Sequence, residues 1–280
     1  MMTAPSPVAK TAKRFVKPLI MGVVNCTPDS FHEGSRATTF ELAVEHALRL
    51  VEEGADILDF GGQSTRPGSD PVGVDVERAR VIPVIESVAK RITVQISIDT
   101  TKAAIAAGAL DVGATIINDI SALRDDADMQ KVALRAERVV LMHMLGSSTR
   151  TMQINPRYKD CFSEVSSFLR ERLNSFVAAG GREDRVWVDP GIGFGKTLEH
   201  NLTLIRRAGE FSSIAPVLLG ASRKSLFGKI LSDNGTEERL AGSLAVAAWA
   251  ALAGVSVLRV HDVLETRRVT ETLCRVSEAA

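Results

Sequence analysis

Leu19-Ile20-Met21-Gly22-Val23-Val24-Asn25 is apolar at consecutive positions and closes on an amide. A strand with one wet face alternates apolar and polar residues, so an unbroken apolar run predicts a strand covered on both faces, as in a parallel sheet. Seven further runs of this kind follow, at residues 56–60, 93–99, 115–118, 139–142, 186–189, 217–219 and 255–260, each trailed by a segment that can be helical. Eight βα units in succession predict an α/β chain closed into a single (β/α)8 barrel. The competing architecture is an open doubly wound sheet, whose usual Gly-rich GxGxxG turn is absent after the first run.

The helical spacing of Phe40, Val44, Ala47, Leu48 and Val51 supports the first crossover, with Gly54 placed to stop it; Gly180 and Gly181 play the same part later. At 280 residues the chain is close to the ~250 of one such barrel. Residues 1–17 carry Pro, Ala and Lys without an apolar signal region and are expected to form a flexible tail, leaving 18–280 as one catalytic domain. Lys plus Arg and Asp plus Glu both total 34, so no global field favours nucleic acid or anionic lipid, and any anion site must be locally built. Cys26, Cys161 and Cys274 lie far apart without metal-binding spacing, which suggests reduced thiols in a cytoplasmic protein. The apolar stretch 240–260 is interrupted by Gly242 and Gly254, so it predicts a buried helix and strand rather than a membrane span.

A strand buried between helices has no reason to end polar unless its carboxyl end serves something. Asn25 closes the first run, Ser64-Thr65-Arg66 follows the second, and Asp99, Asn118, His143 and Asp189 end the next four. Arg223 and Lys224 follow the seventh, and Arg259 and His261 close the eighth. In a barrel all of these converge on one mouth, where active sites of this architecture sit. Arg66, Arg223, Arg259 and His261 suit an anion with several oxygens, since guanidinium pairs with phosphate through parallel hydrogen bonds. Asp99, Asn118 and Asp189 suit neighbouring N–H groups on an amino-oxo heterocycle. The ligand expected from residues alone therefore has a ring at one end and phosphate at the other.

Asn25-Cys26-Thr27-Pro28-Asp29-Ser30-Phe31, Ser64-Thr65-Arg66-Pro67-Gly68 and Ser222-Arg223-Lys224-Ser225 resemble signatures of the dihydropteroate synthases. Ser97-Ile98-Asp99-Thr100, Asn118-Asp119-Ile120, the run from Asp189 to Lys196 and Arg259-Val260-His261-Asp262 are similar to the same family, in the same order. The resemblance implies a pterin-binding TIM barrel that joins a dihydropterin pyrophosphate to para-aminobenzoate. It implies that Asp99, Asn118, Asp189 and Lys224 hold the pterin, with Met142, Phe194 and Gly220 lining its pocket. It assigns the pyrophosphate to Asn25, Thr65, Arg66, Arg223, Arg259 and His261, with Asn25 beside a Mg²⁺ ion. Para-aminobenzoate, or a sulfonamide competing with it, is implied against Phe31, Thr65, Pro67, Phe194, Ser222 and Lys224. Asp99, Asp189, Lys224 and Arg66 carry catalysis on this reading, and a homodimer is implied as well.

The implied reaction is dissociative: diphosphate leaves once its charge is neutralised, and the cation spreads into the pterin ring. A neutral arylamine then attacks without a covalent enzyme intermediate or a dedicated base, and His261 is not assigned that part. Gly34, Gly61, Gly62 and Gly68 suit loops that are mobile in the free enzyme and exclude water when they order over substrate.

Simpler roles exist for several of these residues. Asp99, Asn118 and Asp189 could cap the helices that follow them. Asn25 could end its strand by bonding nearby backbone. His143, between two methionines, is expected in the core. Asp56 and Asp59 are expected to pair with neighbours, and Lys196 to sit at a helix start or on the surface. Two departures stand out. The family signature Gly-Gly-Glu-Ser-Thr-Arg-Pro-Gly has Gln63 in place of its Glu here, and Glu33-Gly34-Ser35 replaces the usual Asp-Gly-Gly of the first loop. They leave open a paralogue that binds pterin or phosphate without turnover. A pterin-dependent methyltransferase is the other alternative, although such enzymes should lack the two anion loops.

Overall fold

The computed structural model describes residues 15–27, 36–64, 69–146, 148–231 and 239–279, with 36–39 given by backbone alone. Eight strands alternate with helices among them. They begin β1 (Leu19–Asn25), α1 (Arg36–Glu52), β2 (Ile57–Gly61), α2 (Val74–Ala89), β3 (Gln95–Asp99), α3 (Ala103–Asp111), β4 (Ile116–Asp119) and α4 (Met129–Ala133). They continue β5 (Arg138–Met142), α5 (Cys161–Ala178), β6 (Val186–Asp189), α6 (Leu198–Arg206), β7 (Leu218–Leu219), α7 (Leu226–Leu231), α8 (Arg239–Leu252), β8 (Val257–Val260) and α9 (Val263–Glu278). All paired strands run parallel, in the order β6-β5-β4-β3-β2-β1-β8-β7. A parallel bridge from Val188 to Val217 joins the two ends, so the sheet closes into the (β/α)8 barrel.

The expected strands are all present. β1 and β6 keep the predicted limits, whereas β7 is two residues long, at 218–219, and β8 four, at 257–260, because the Val217 carbonyl is shared by Ser256 N and Val257 N before the regular ladder starts. The expected tail falls largely on residues 1–14, outside the described residues, and Lys17 already pairs with Glu271 at 3.1 Å.

Side chains on a strand alternate between two faces, and here both faces are apolar for different reasons. Ile20, Leu58, Ile96, Ile117, Val139 and Val188 belong to the large core shared with the helices. Met21, Ile57, Ile116, Val140, Trp187, Leu218 and Val257 form a separate cluster that plugs the barrel. Because every strand points the same way, the residue two places after each plug residue must stand one layer nearer the carboxyl mouth. Those residues are Val23, Asp59, Asn118, Met142, Asp189, Gly220 and Arg259, and on β3 the same layer sequence runs from Ser97 to Asp99. The plug therefore serves as the floor of the site, and the strand register sets the residues above it. Asp56, at the opposite end of β2, accepts from Ile20 N at 2.8 Å and pairs with Arg267 at 2.6 Å, so it bolts α9 to the barrel base.

Candidate active site

The layer above the plug is polar and internally paired. Arg259 Nε donates to Asp59 Oδ2 at 2.6 Å and its Nη2 to Asp99 Oδ2 at 2.7 Å, while Asn118 Nδ2 donates to Asp59 Oδ2 at 3.0 Å. Asp59 is fully buried and the Asp99 side chain nearly so. Burial pushes the Asp99 carboxyl up to about 7; Arg259 opposes that shift, while Asp59, Glu77 and Asp119 reinforce it. Arg259 remains charged: burial works against its proton, but the flanking Asp59 and Asp99 more than compensate.

Asp189 is fixed by the turn that follows it. Its carboxylate accepts from Gly191 N at 2.7 Å, and its carbonyl accepts from His143 N at 2.9 Å. Gly191 holds φ at 67°, where a Cβ would fall 1.9 Å from His143 O, so only glycine closes this turn. Burial raises the Asp189 pKa, against the pull of Lys224 and the Gly191 N–H. Lys224 reaches over the Phe194 ring, 4.7 Å from its centroid, and donates to Ile192 O. Burial lowers its pKa to about 8, with Asp189 opposing and Arg259 adding to the fall. At Gly220 a Cβ would lie 3.7 Å from Arg259 Cδ and 3.8 Å from Asp189 Oδ2, so its absence leaves space between the two charges.

The other side of the mouth is built from turns. Arg223 adopts φ 54°, a left-handed conformation uncommon for any residue with a Cβ, and donates its N–H to Ser243 Oγ at 2.9 Å. Its guanidinium grips Asp262 through both carboxylate oxygens. His261 bonds Ser222 Oγ twice, from its backbone N at 3.2 Å and through Nδ1 at 3.1 Å. Asn25 ends β1 opposite Gly61. Gln63 Oε1 accepts from Lys102 Nζ at 2.7 Å and from Val72 N at 3.2 Å. Lys102 also pairs with the buried Glu77, which Thr100 Oγ1 bonds at 2.7 Å. Gln63 thus ties the start of the second loop to α2 and α3.

A cavity of about 860 Å³ opens between the two sides, lined by Asn25, Asp99, Phe194, Ser222, Lys224, Arg223, Arg259 and His261 among others, a size suited to a drug-sized ligand. Asn118, Met142 and Asp189 are buried and, like Gly220, do not line it; Met142 packs with Ile120, Met144, Met152 and Phe194. Thr65, Arg66, Pro67 and Phe31 lie outside the described residues, as do the glycines Gly34 and Gly68 of the loops expected to be mobile.

The simpler roles fare unevenly. None of Asp99, Asn118 and Asp189 caps the next helix, since the caps of α3, α4 and α6 are Lys102, Asp128 and Thr197. Asp56 and Asp59 pair with neighbours as expected. His143 is buried, with its ring held down to about 2 by burial and then by Lys196. Lys196 precedes the α6 cap as a helix-start lysine would, but it is no surface residue: it is 4% exposed and its Nζ lies 2.9 Å from His143 Nδ1 and 3.0 Å from Phe194 O. Burial lowers its pKa to about 7. The residues that sequence reasoning missed on the cavity wall include Lys196, Met152 and Gln153. Only Lys196 had a signal available, as the last residue of the family-like run from Asp189; Met152 and Gln153 lie in a mostly polar segment after β5.

The family described as pterin binding enzyme matches residues 21–261. The dihydropteroate synthase of Escherichia coli K12 is 44% identical over 265 residues, covering 93% of each chain. Among solved structures, a Xanthomonas albilineans dihydropteroate synthase with 4-aminobenzoic acid superposes with TM-score 0.89 at 41% identity, covering 94% of each chain. A Yersinia pestis dihydropteroate synthase in a sulfonamide drug complex does so with TM-score 0.88 at 38% identity, covering 94% of this chain and 95% of that one. The barrel, the paired acids above its plug and this degree of identity across nearly the whole length lead to one assignment: the chain belongs to the dihydropteroate synthase family of pterin-binding enzymes.

Proposed function

We propose that this chain is a transferase that condenses 6-hydroxymethyl-7,8-dihydropterin pyrophosphate with para-aminobenzoate, giving 7,8-dihydropteroate and pyrophosphate for folate biosynthesis. The observation that carries this reading is the layer of Asp59, Asn118, Asp189 and Arg259 directly above the plug, continuous with Asp99 and Lys224 at the cavity wall. Asp99, Asn118 and Asp189 accept or donate along the polar edge of the pterin, while Met142, Phe194 and Gly220 give its faces room. Asn25, Thr65, Arg66, Arg223, Arg259 and His261 take the pyrophosphate. Para-aminobenzoate, and a sulfonamide in its place, lies toward Phe31, Thr65, Pro67, Phe194, Ser222 and Lys224.

Catalysis by this site is electrostatic. As the C–O bond to the diphosphate lengthens, positive charge grows on the pterin methylene and ring, and the fixed carboxylates of Asp99 and Asp189 stabilise it without reorganising. Arg66 and Arg223 receive the departing charge, and Lys224 bridges the ring and the incoming amine. The neutral arylamine supplies the electron pair for the new C–N bond and afterwards releases its proton to solvent. Mg²⁺ fits as a companion of the diphosphate rather than a resident ion. Asn25 offers a single neutral oxygen, and among the described residues no group of three His, Cys, Asp or Glu side chains could hold a metal. When bound, the ion would screen the diphosphate charge.

The methyltransferase alternative is disfavoured by Arg223 and the Ser222–His261 contact, which build an anion side such enzymes do not need. A homodimer is supported by the exposed Leu202, Ile230, Leu231, Trp249 and Leu252 on α6, α7 and α8, three helices packed on one another. A single catalytic domain is supported by the one closed sheet, and a cytoplasmic location by three free cysteines, two of them buried. Among the described residues no helix is long and apolar enough to cross a membrane. A coupled pyrophosphate-release assay with the dihydropterin pyrophosphate, para-aminobenzoate and Mg²⁺ tests the activity; folded protein that releases none would reject it, in favour of the non-catalytic paralogue.

A further inference from the structure

We infer that Asp59 is a positioning residue for pterin binding: its buried carboxylate sets which face of the Asn118 amide is turned toward the ring, and with it which edge of the Arg259 guanidinium is left for the diphosphate. Asp59 is 0% exposed, and one of its oxygens, Oδ2, receives both the Asn118 amide at 3.0 Å and Arg259 Nε at 2.6 Å. Its own strand, β2, pairs only with β1 and β3, so the two contacts cross the barrel interior to β4 and β8, which share no backbone bond with it.

The two ends of an asparagine amide are alike in shape and opposite in hydrogen bonding. An ionised carboxylate can only accept, so Asp59 spends the Asn118 NH₂ and leaves Oδ1 as the end available to a ring N–H. A neutral residue at position 59 would let the amide turn over at little cost and present a donor to another donor. Arg259 is governed in the same way. Its Nε is taken by Asp59 and its Nη2 by Asp99, two bonds that fix the plane of a rigid fork and leave its remaining N–H edge for ligand. Asp59 touches no substrate in this scheme; it acts through Asn118 and Arg259.

The inference rests on the ring-site reading proposed above, and a double-mutant cycle separates the two. Free pterin is titrated calorimetrically into the unmodified protein, Asp59→Asn, Asn118→Ala and the double variant. Asp59→Asn should weaken pterin about tenfold, as expected for the loss of one hydrogen bond aimed at a charged or oriented group. In the Asn118→Ala background the same change should cost less than about threefold, because its effect passes through the missing amide. Equal losses in both backgrounds, or none in Asp59→Asn, would overturn the inference while leaving the ring site intact. Unchanged affinity in Asn118→Ala alone would overturn both. If Asp59→Asn does not fold, Asp59→Asn combined with Arg259→Gln, which removes both buried charges, is compared with Arg259→Gln alone. A further fall in pterin affinity then supports the positioning role, and equal affinities refute it.

Discussion

The two sides of the barrel mouth are built on different principles. The acid side stands on strand ends, where sheet register alone fixes Asp59, Asn118 and Asp189 two residues above the plug, buried and paired with neighbours. The basic side stands on the turns after β7 and β8, where the Arg223 side chain is 41% exposed and held by Asp262 rather than by the sheet. A flat heterocycle must be matched atom by atom, so its partners belong on the rigid part of the fold. A diphosphate presents charge in many directions and tolerates partners on turns. Preorganisation is therefore concentrated where direction matters.

The largest expected consequence is kinetic. Asp189→Ala should lower kcat/KM on the order of 10²–10³, the usual cost of removing one oriented charge from a transition state. Arg223→Ala should raise KM for the diphosphate ester and lower kcat less than Asp189→Ala does. Steady-state kinetics on both variants would contradict the division if Arg223→Ala proved the more damaging to kcat.

Stability should divide the same way. Arg259→Gln strands the Asp59 and Asp99 carboxylates and should cost about 3 kcal/mol, as breaking one partner of a buried pair does. Arg223→Gln removes a half-exposed pair and should cost less than about 1 kcal/mol. Urea denaturation of the two variants checks this, and similar losses would erase the distinction.

The pH profile follows from the same burial. Asp99 must be ionised to accept from the ring, and burial raises its pKa, so activity should fall on the acid side with a midpoint near 7. Lys224 must keep its proton, and burial lowers its pKa, so activity should fall on the alkaline side near 8. The kcat/KM profile of the free enzyme should be a narrow bell between these values. Arg259 depresses the Asp99 pKa, so Arg259→Gln should move the acid limb upward; an unmoved limb would remove Asp99 from the titration.

The smallest effect is expected at the family departure. Gln63 accepts from Lys102 and from Val72 N, and a glutamate would accept the same two bonds, so Gln63→Glu should change kcat/KM within about fivefold. A larger change would mean that the missing charge at 63 acts on the diphosphate directly.

Most of the barrel was legible because burial writes itself into each strand: Leu19–Asn25 is apolar throughout, and its polar end marks the mouth. The convergence of Asp99, Asn118, Asp189 and Arg259 was legible for the same reason. Their pairing was not. Asp59 and Arg259 are 200 residues apart, and nothing local distinguishes Asp59, which faces the mouth, from Asp56 three residues earlier, which bolts the base. Lys196 misled because lysine seldom survives burial. Here His143 Nδ1 and the Phe194 carbonyl receive its ammonium, a compensation visible only once β5 and β6 are side by side.

Calorimetric titration of free pterin, without its diphosphate, into Asp189→Ala and Arg223→Ala separates ring recognition from anion recognition most directly. Pterin affinity should be lost in Asp189→Ala and stay within about threefold of the unmodified protein in Arg223→Ala, since only the first loses a bond to the ring. Pterin binding that survives in Asp189→Ala, or disappears in Arg223→Ala, would contradict the assignment of the ring to the acids and the diphosphate to the bases.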